Sequence, residues 1–367
     1  GLRWYAGDRP IGVSVAWRAG DGRIESRYLP FSHCGGNIDE SVVRRWAQAE
    51  LKGKRLIGLN LKFDIHFLRE WGVDITESNT LGDVAHYAAL LDDHRGEGWR
   101  RTETPFSLEA VGLDYAGEGK LKGLLPERMA DYHASQVTGY ARQDAALVIK
   151  VMAGQRPLLK RDDLERVAAL EDSVIPVVVE MERNAARIDV EKLRRWDTDS
   201  ASELETLRFA LANMLGWNLN PDSPEQMVRL FREQGIRSDK LTDTGRESFA
   251  SDVLADYANN PVIAQVIRVS HLADLRSKFL IPFLKLVGDD GMLRTSLNSL
   301  KGDAYGTISG RFSSSNPNLQ QIPSVENQTK RNGAEYLIRE LFIPDDGMLL
   351  LDSDAKQIEL RVFAHFA

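Results

Sequence analysis

The sequence predicts an α/β or α+β layer domain followed by a mainly helical region, after which strand signals return. Three observations carry this. Paired strand patterns open the chain with helical patterns interleaved behind them, helical periodicity runs from 164 to 287, and strand signals return at 293–297 and 348–351. At 367 residues the chain has room for about two to three domains with a sizeable core.

Taken in order, residues 11–17 alternate apolar and small side chains and read as a strand, with a second at 24–29. Gly20-Asp21-Gly22 between them predicts a hairpin. The apolar run 56–59 leads into Phe63, Phe67, Leu68 and Trp71, a helical pattern that stops at Gly72. Further helices are expected at 107–111, 129–132 and 137–152. Gly, Pro and a charge run at 154–163 suggest a domain junction. Beyond it come helices at 164–184, with Pro176 expected to kink or divide the first, and at 190–215, where Asp189 can act as N-cap. Helices at 224–234, 247–258 and 261–287 follow.

Hydrophobic residues at 43% and charged residues at 28% exclude wholesale disorder. The single cysteine, Cys34, excludes an internal disulfide framework and a cysteine-cluster metal site, and fits a reducing compartment. No apolar run approaches the ~20 residues that span a bilayer, so no membrane partner is expected. The chain opens at Gly1 with no signal pattern, and we expect an internal fragment. Lys+Arg number 47 against 54 Asp+Glu, a net charge of −7, yet residues 268–339 hold ten basic and six acidic side chains. That local excess of +4 could serve a phosphate track, although on charge alone a solvated surface is the favoured reading.

Chemistry concentrates near the end. Met348-Leu-Leu-Leu-Asp-Ser-Asp354 reads as a buried strand closing on two carboxylates of equal parity, Asp352 and Asp354. It runs into a helix with Ile358, Val362 and Phe366 on one face. A carboxylate held where strand meets helix suits a divalent-metal ligand for phosphoryl transfer, although Asp354 could equally cap the helix.

Asp354-Ala-Lys-Gln-Ile-Glu-Leu-Arg361, followed by Ala364-His365, closely resembles motif A of family A (polymerase I-type) DNA polymerases. Some forty residues earlier, Ser309-Gly-Arg-Phe-Ser-Ser-Ser-Asn-Pro-Asn-Leu-Gln-Gln-Ile-Pro323 resembles that family's template–primer contact motif. Asn60-Leu-Lys-Phe-Asp64 and Tyr140-Ala-Arg-Gln-Asp144 resemble the second and third motifs of its 3′–5′ proofreading exonuclease domain. Each of the latter pairs sits at i, i+4 on one helix face, and alone would more often be a solvated or capping pair. Met181–Asp189 is similar to the entry into the polymerase domain, and Asn220-Pro-Asp-Ser-Pro-Glu-Gln226, Thr242-Asp-Thr-Gly245 and Leu275-Arg-Ser-Lys-Phe279 to landmarks of the thumb.

The resemblance implies a mixed-sheet, ribonuclease H-like exonuclease domain over 1–155 and a junction and entry over 156–200. A mainly helical thumb over 201–290 and a partial α+β palm over 291–367 complete the expected division. It implies that Asp64 and Asp144 bind metal, that Tyr140 orients the attacking water and that Asn60 helps hold a frayed 3′ nucleotide. In the polymerase half it implies that Asp354 ligates two Mg²⁺ ions (or Mn²⁺), that Glu359 excludes a 2′-hydroxyl and that Arg311 reads the minor groove near the primer end. Asn318, Gln320 and Gln321 would contact template and primer, Arg276 and Lys278 thumb phosphates, and Gln357 and Arg361 DNA or nucleotide.

The implied partners are primer–template DNA and deoxynucleoside triphosphates, with processivity or replisome factors unspecified, and the implied setting is the cytoplasm of a bacterium or phage-infected cell. The family's first exonuclease motif is expected just before Gly1, and its fingers and second palm Asp after Ala367. The parent is therefore expected to synthesise and proofread DNA while the fragment itself is inactive. A catalytically silent DNA-binding module of the same family is the alternative, which Lys356 would suit; a standalone nuclease is opposed by the 309–323 motif and motif A.

Overall fold

The computed structural model describes residues 3–95, 104–238, 240–242, 244–300, 310–332 and 335–366. They form two compact units: 1–185 with 295–320, and 186–294 with 321–367.

In the first unit, β1 (Gly12–Arg18) and β2 (Ile24–Pro30) form an antiparallel hairpin that sets Gly12 opposite Pro30 and Arg18 opposite Ile24. Gly22 takes φ +86°, a conformation that favours glycine and closes the turn. Asp39 then caps α1 (Glu40–Glu50) by accepting from the N–H groups of Ser41 and Val42. β3 (Arg55–Gly58) crosses over through α2 (Leu61–Glu70) to the parallel strand β4 (Thr80–Asp83), and α3 (Val84–Leu91) follows at once. α4 (Leu108–Ala116), α5 (Ala134–Arg161) and α6 (Glu165–Asn184) complete the layer of helices. One cluster of buried side chains joins α1, α2 and α6 through Val43, Ile65, Trp71 and Val179, and another joins α3 to α5 through Tyr87, Leu147 and Val151.

Among the described residues the strands of this unit do not make the mixed sheet expected: β1 and β2 form one antiparallel pair, β3 and β4 a separate parallel pair, and a further antiparallel pair follows later in the chain. Ahead of β1, residues Trp4–Ala6 form a short 3₁₀ turn, with Trp4 stacked on His66 at 4.7 Å, so they supply no strand to join the pairs. Of the stretch 154–163, expected as a junction, residues 154–161 are the last part of α5. Gly154 serves close packing there, because a Cβ would lie 2.0 Å from the carbonyl oxygen of Tyr115. Pro176 does not divide α6, whose flanking Ile175, Val178 and Val179 are buried.

In the second unit, β5 (Ala186–Arg187) leads to α7 (Val190–Leu215), capped by Asp189 as its sequence predicts. α8 (Pro224–Glu233), a short α9 (Ser251–Asp256) and α10 (Pro261–Leu275) follow. A wider π turn over Arg276–Leu280 connects to α11 (Ile281–Leu286). β6 (Met292–Leu293) then pairs antiparallel with β5. Leu193, Phe231, Ile263, Leu280 and Phe283 are buried in this unit.

The chain returns to the first unit as the antiparallel pair β7 (Ser296–Asn298) and β8 (Ser313–Ser315), and finishes in the second with α12 (Val325–Asn332) and α13 (Ile358–Phe366). Residues 348–351 are neither strand nor buried: Leu349 is 93% and Leu351 91% exposed. An extended apolar run becomes a buried strand only where another edge completes its ladder, and no described strand lies beside this one.

One buried carboxylate ties the returning hairpin to the helices of the first unit. Glu182 of α6 accepts from Lys62 Nζ at 2.6 Å and the Leu297 N–H at 2.7 Å on one oxygen, and its other oxygen lies 2.6 Å from His66 Nε2. Lys62 Nζ also donates to the Leu297 carbonyl at 2.7 Å. Burial pushes the Glu182 carboxyl up, but His66, Lys62 and the Leu297 amide outweigh it, and the group sits below its ordinary value. Glu182→Ala should lower the unfolding free energy by about 3–5 kcal/mol, because it leaves Lys62 and His66 without their shared acceptor. Denaturant titration at neutral pH checks this; a loss below about 1 kcal/mol would refute the assignment.

Candidate functional site

In the first unit the sequence-predicted acids lie on α2 and α5. Asn60 stands at the N-cap position of α2 with φ +56°, a left-handed backbone that asparagine tolerates. The start is fixed from outside: Asp83, 2% exposed, accepts from the Leu61 N–H at 2.8 Å and the Ala85 N–H at 2.9 Å, so one carboxylate orders the first turns of both α2 and α3. Asp64 follows one turn later. Crowding by surrounding protein, and secondarily the Asp83 charge, push Asp64 up to about 7, even though the residue is exposed.

Tyr140 and Asp144 sit one turn apart on α5. Lys120 Nζ lies 2.9 Å from Asp144 Oδ2 and 4.9 Å from the centre of the Tyr140 ring. Burial raises Asp144 above its ordinary value, and Lys120 and Tyr140 only partly offset this. No hydrogen bond or ion pair links Asp64 to Asp144, and no three His, Cys, Asp or Glu side chains converge to hold an ion among the described residues. The acids present therefore do not by themselves make a complete metal centre. A cavity of about 450 Å³ opens beside the start of α2, with Asn60, Lys62, Asp83, His86, Phe106 and Phe312 among its walls.

Of the 309–323 motif, Ser309 lies outside the described residues. Asn318 and Gln320 are spent on the turn after β8: Asn318 Oδ1 accepts from Ser314 Oγ and the Gln320 N–H, both at 3.0 Å. Gln320 accepts from the Ser314 N–H at 3.1 Å and donates to the Phe312 carbonyl at 2.9 Å. Arg311 and Gln321 are exposed at the two ends of this turn.

In the second unit Arg276 is turned inward. It pairs with Asp197 at 2.9 Å, donates to Ser200 Oγ at 2.6 Å and bonds the Asp197 carbonyl, so a phosphate role would require breaking that set. Lys278 is exposed and paired with Asp274 at 2.7 Å. Asp352, Asp354, Gln357, Glu359 and Arg361 are all exposed, and Arg361 Nε donates to the Lys356 carbonyl at 3.0 Å.

Sequence reasoning missed Glu182, Asp83, Lys120 and Gln328. Asp83 was findable, since an acid directly before the apolar run 84–91 is an N-cap signal. Gln328, 2% exposed, bridges the Tyr336 carbonyl and the Ile338 N–H, and such a long-range role leaves no local pattern.

The fold is shared with a solved polymerase domain. The POL domain of Pol1 from M. smegmatis, in complex with DNA primer-template and dNTP, superposes with a TM-score of 0.72 at 22% identity, covering 99% of this chain and 60% of that one. The likeness is one of fold. Residues 190–367 match the model of DNA polymerase family A. DNA polymerase DpoZ of Salmonella phage PMBT28 is 28% identical over the full chain, and DNA polymerase I of Pseudomonas aeruginosa is 26% identical over 97% of it. The chain spans 60% of the phage relative and 39% of the bacterial one.

The raised Asp64 has a thermodynamic consequence. Its folded carboxyl keeps its proton above the ordinary value of 3.8, so the stability it contributes is complete below that value and is lost as pH rises through about 7. Thermal midpoints measured from pH 4 to 8 should fall for the wild type relative to Asp64→Asn across that window. Parallel curves would show that Asp64 titrates normally.

Proposed function

We propose that the chain is part of a template-directed DNA polymerase that adds deoxynucleotides to a primer 3′ end, and that its first unit is the 3′–5′ proofreading domain. The family A match over 190–367, ending in Asp354 and α13, carries the polymerase reading. The proofreading reading rests on Asn60 with Asp64 and Tyr140 with Asp144, each pair one helical turn apart. Primer–template DNA and deoxynucleoside triphosphates are the proposed partners, in the cytoplasm of a bacterium or phage-infected cell.

In this reaction class a divalent ion such as Mg²⁺ supplies charge neutralisation on the triphosphate. Asp354 presents one exposed carboxylate for that purpose at the foot of α13. Glu359, one turn on, would crowd a ribose 2′-hydroxyl, and the exposed Arg311 would bond the minor-groove acceptors that all correct pairs share. Gln321, Gln357 and Arg361 would contact DNA or nucleotide from the same exposed surfaces, whereas Asn318 and Gln320 would shape the turn that presents Arg311.

Primer extension with Mg²⁺ by the polymerase carrying this chain tests the reading. Asp354→Ala should reduce extension about a thousandfold or more while duplex affinity changes by less than about threefold. Undiminished extension would remove Asp354 from the reaction and turn attention to Asp352. No extension by the wild type would favour a silent DNA-binding module.

A further inference from the structure

The β7–β8 pair has no third strand beside it among the described residues, and side chains finish both of its edges. On the β7 edge the Leu297 N–H donates to Glu182 at 2.7 Å, and the Leu297 carbonyl accepts from Lys62 Nζ at 2.7 Å. On the β8 edge a single side-chain amide stands where a strand would. Gln320 accepts from the Ser314 N–H at 3.1 Å and donates to the Phe312 carbonyl at 2.9 Å. Those are the two bonds a neighbouring strand would offer, and they cover groups that an open edge leaves unpaired.

Ser314 holds the Gln320 backbone within reach of that edge. It is 3% exposed, and its hydroxyl uses its whole bonding capacity. The oxygen donates to Asn318 Oδ1 at 3.0 Å and accepts from the Leu319 N–H at 2.9 Å and the Gln320 N–H at 3.3 Å. One buried oxygen thus gathers residues 318–320 against β8, and Gln320 in turn grips 312–314. Arg311 is the next residue out from that grip, and it is exposed.

We propose that Ser314 is a positioning residue for the primer-end contact of Arg311: its hydroxyl closes the ring of bonds over 312–320 and so fixes where the Arg311 side chain starts. The proposal rests on the reading of Arg311 given above, and Ser314, buried beneath the turn, acts through that residue. Removing the hydroxyl takes the acceptor from the Leu319 and Gln320 N–H groups, which loosens the turn. The far edge of the hairpin keeps its own support, because Glu182 and Lys62 hold Leu297 independently of Ser314.

Two measurements on the polymerase carrying this chain test it. Trypsin cleavage after Arg311, followed by mass spectrometry, reads the turn itself. Ser314→Ala should raise it severalfold relative to cleavage elsewhere in the chain, because residues 312–314 must leave β8 to be cut. In primer extension with Mg²⁺, Ser314→Ala should lower kcat/KM about tenfold beside an intact Arg311 and by less than about twofold beside Arg311→Ala. Unchanged cleavage after Arg311 overturns the proposal. So does an extension loss that is absent, or that is equal in the two backgrounds, which marks a general folding defect. Failure of the Arg311 reading looks different: Arg311→Ala by itself would extend primers as the wild type does while the cleavage change persists, leaving Ser314 to order the turn with no primer-end contact to position.

Discussion

The first unit depends on a carboxylate that almost no water reaches. Glu182 satisfies a lysine, a histidine and a backbone amide at once, and these come from α2 and from a strand more than a hundred residues away in sequence. Burying a charge is tolerable only when its lone pairs are filled, and here the partners fill them. The consequence is positional. β7, and through it β8, is fastened to α2, which carries Asp64 and has Asn60 as its N-cap residue.

The remaining acids sort by the same criterion. Asp83 is buried and fully occupied by the N–H groups that begin α2 and α3, which makes it architectural. Asp144 is half occupied, and Asp64 is exposed with its carboxyl raised above the ordinary value. Carboxylates left unfinished by their own fold are the ones available to bind something else. In the second unit the contrast falls between Arg276, absorbed by Asp197 and Ser200, and the exposed stretch around Asp354.

That exposed stretch is unusual for its apolar content. Met348, Leu350, Leu360 and Phe363 are all more than half exposed, and Asp354 lies among them. The sequence pattern there is that of a strand and an amphipathic helix, and the helix alone forms. A helix closes its hydrogen bonds within itself, whereas a strand needs a neighbour's edge.

Local interactions were legible in the sequence. The β1–β2 hairpin, the start of α7 at Asp189, the end of α2 before Gly72 and the helix after Asp354 all follow from residues within a few positions of one another. The family could be read for a related reason, since its motifs are contiguous segments whose side chains share one helix or one turn. Tertiary structure decided what joins distant segments. It continued α5 through Gly154 because Tyr115 packs there, left 348–351 outside any sheet, turned Arg276 inward and brought Lys120 onto Asp144. A charge's worth depends on its partner and its exposure, and both are set by parts of the chain that no local window contains.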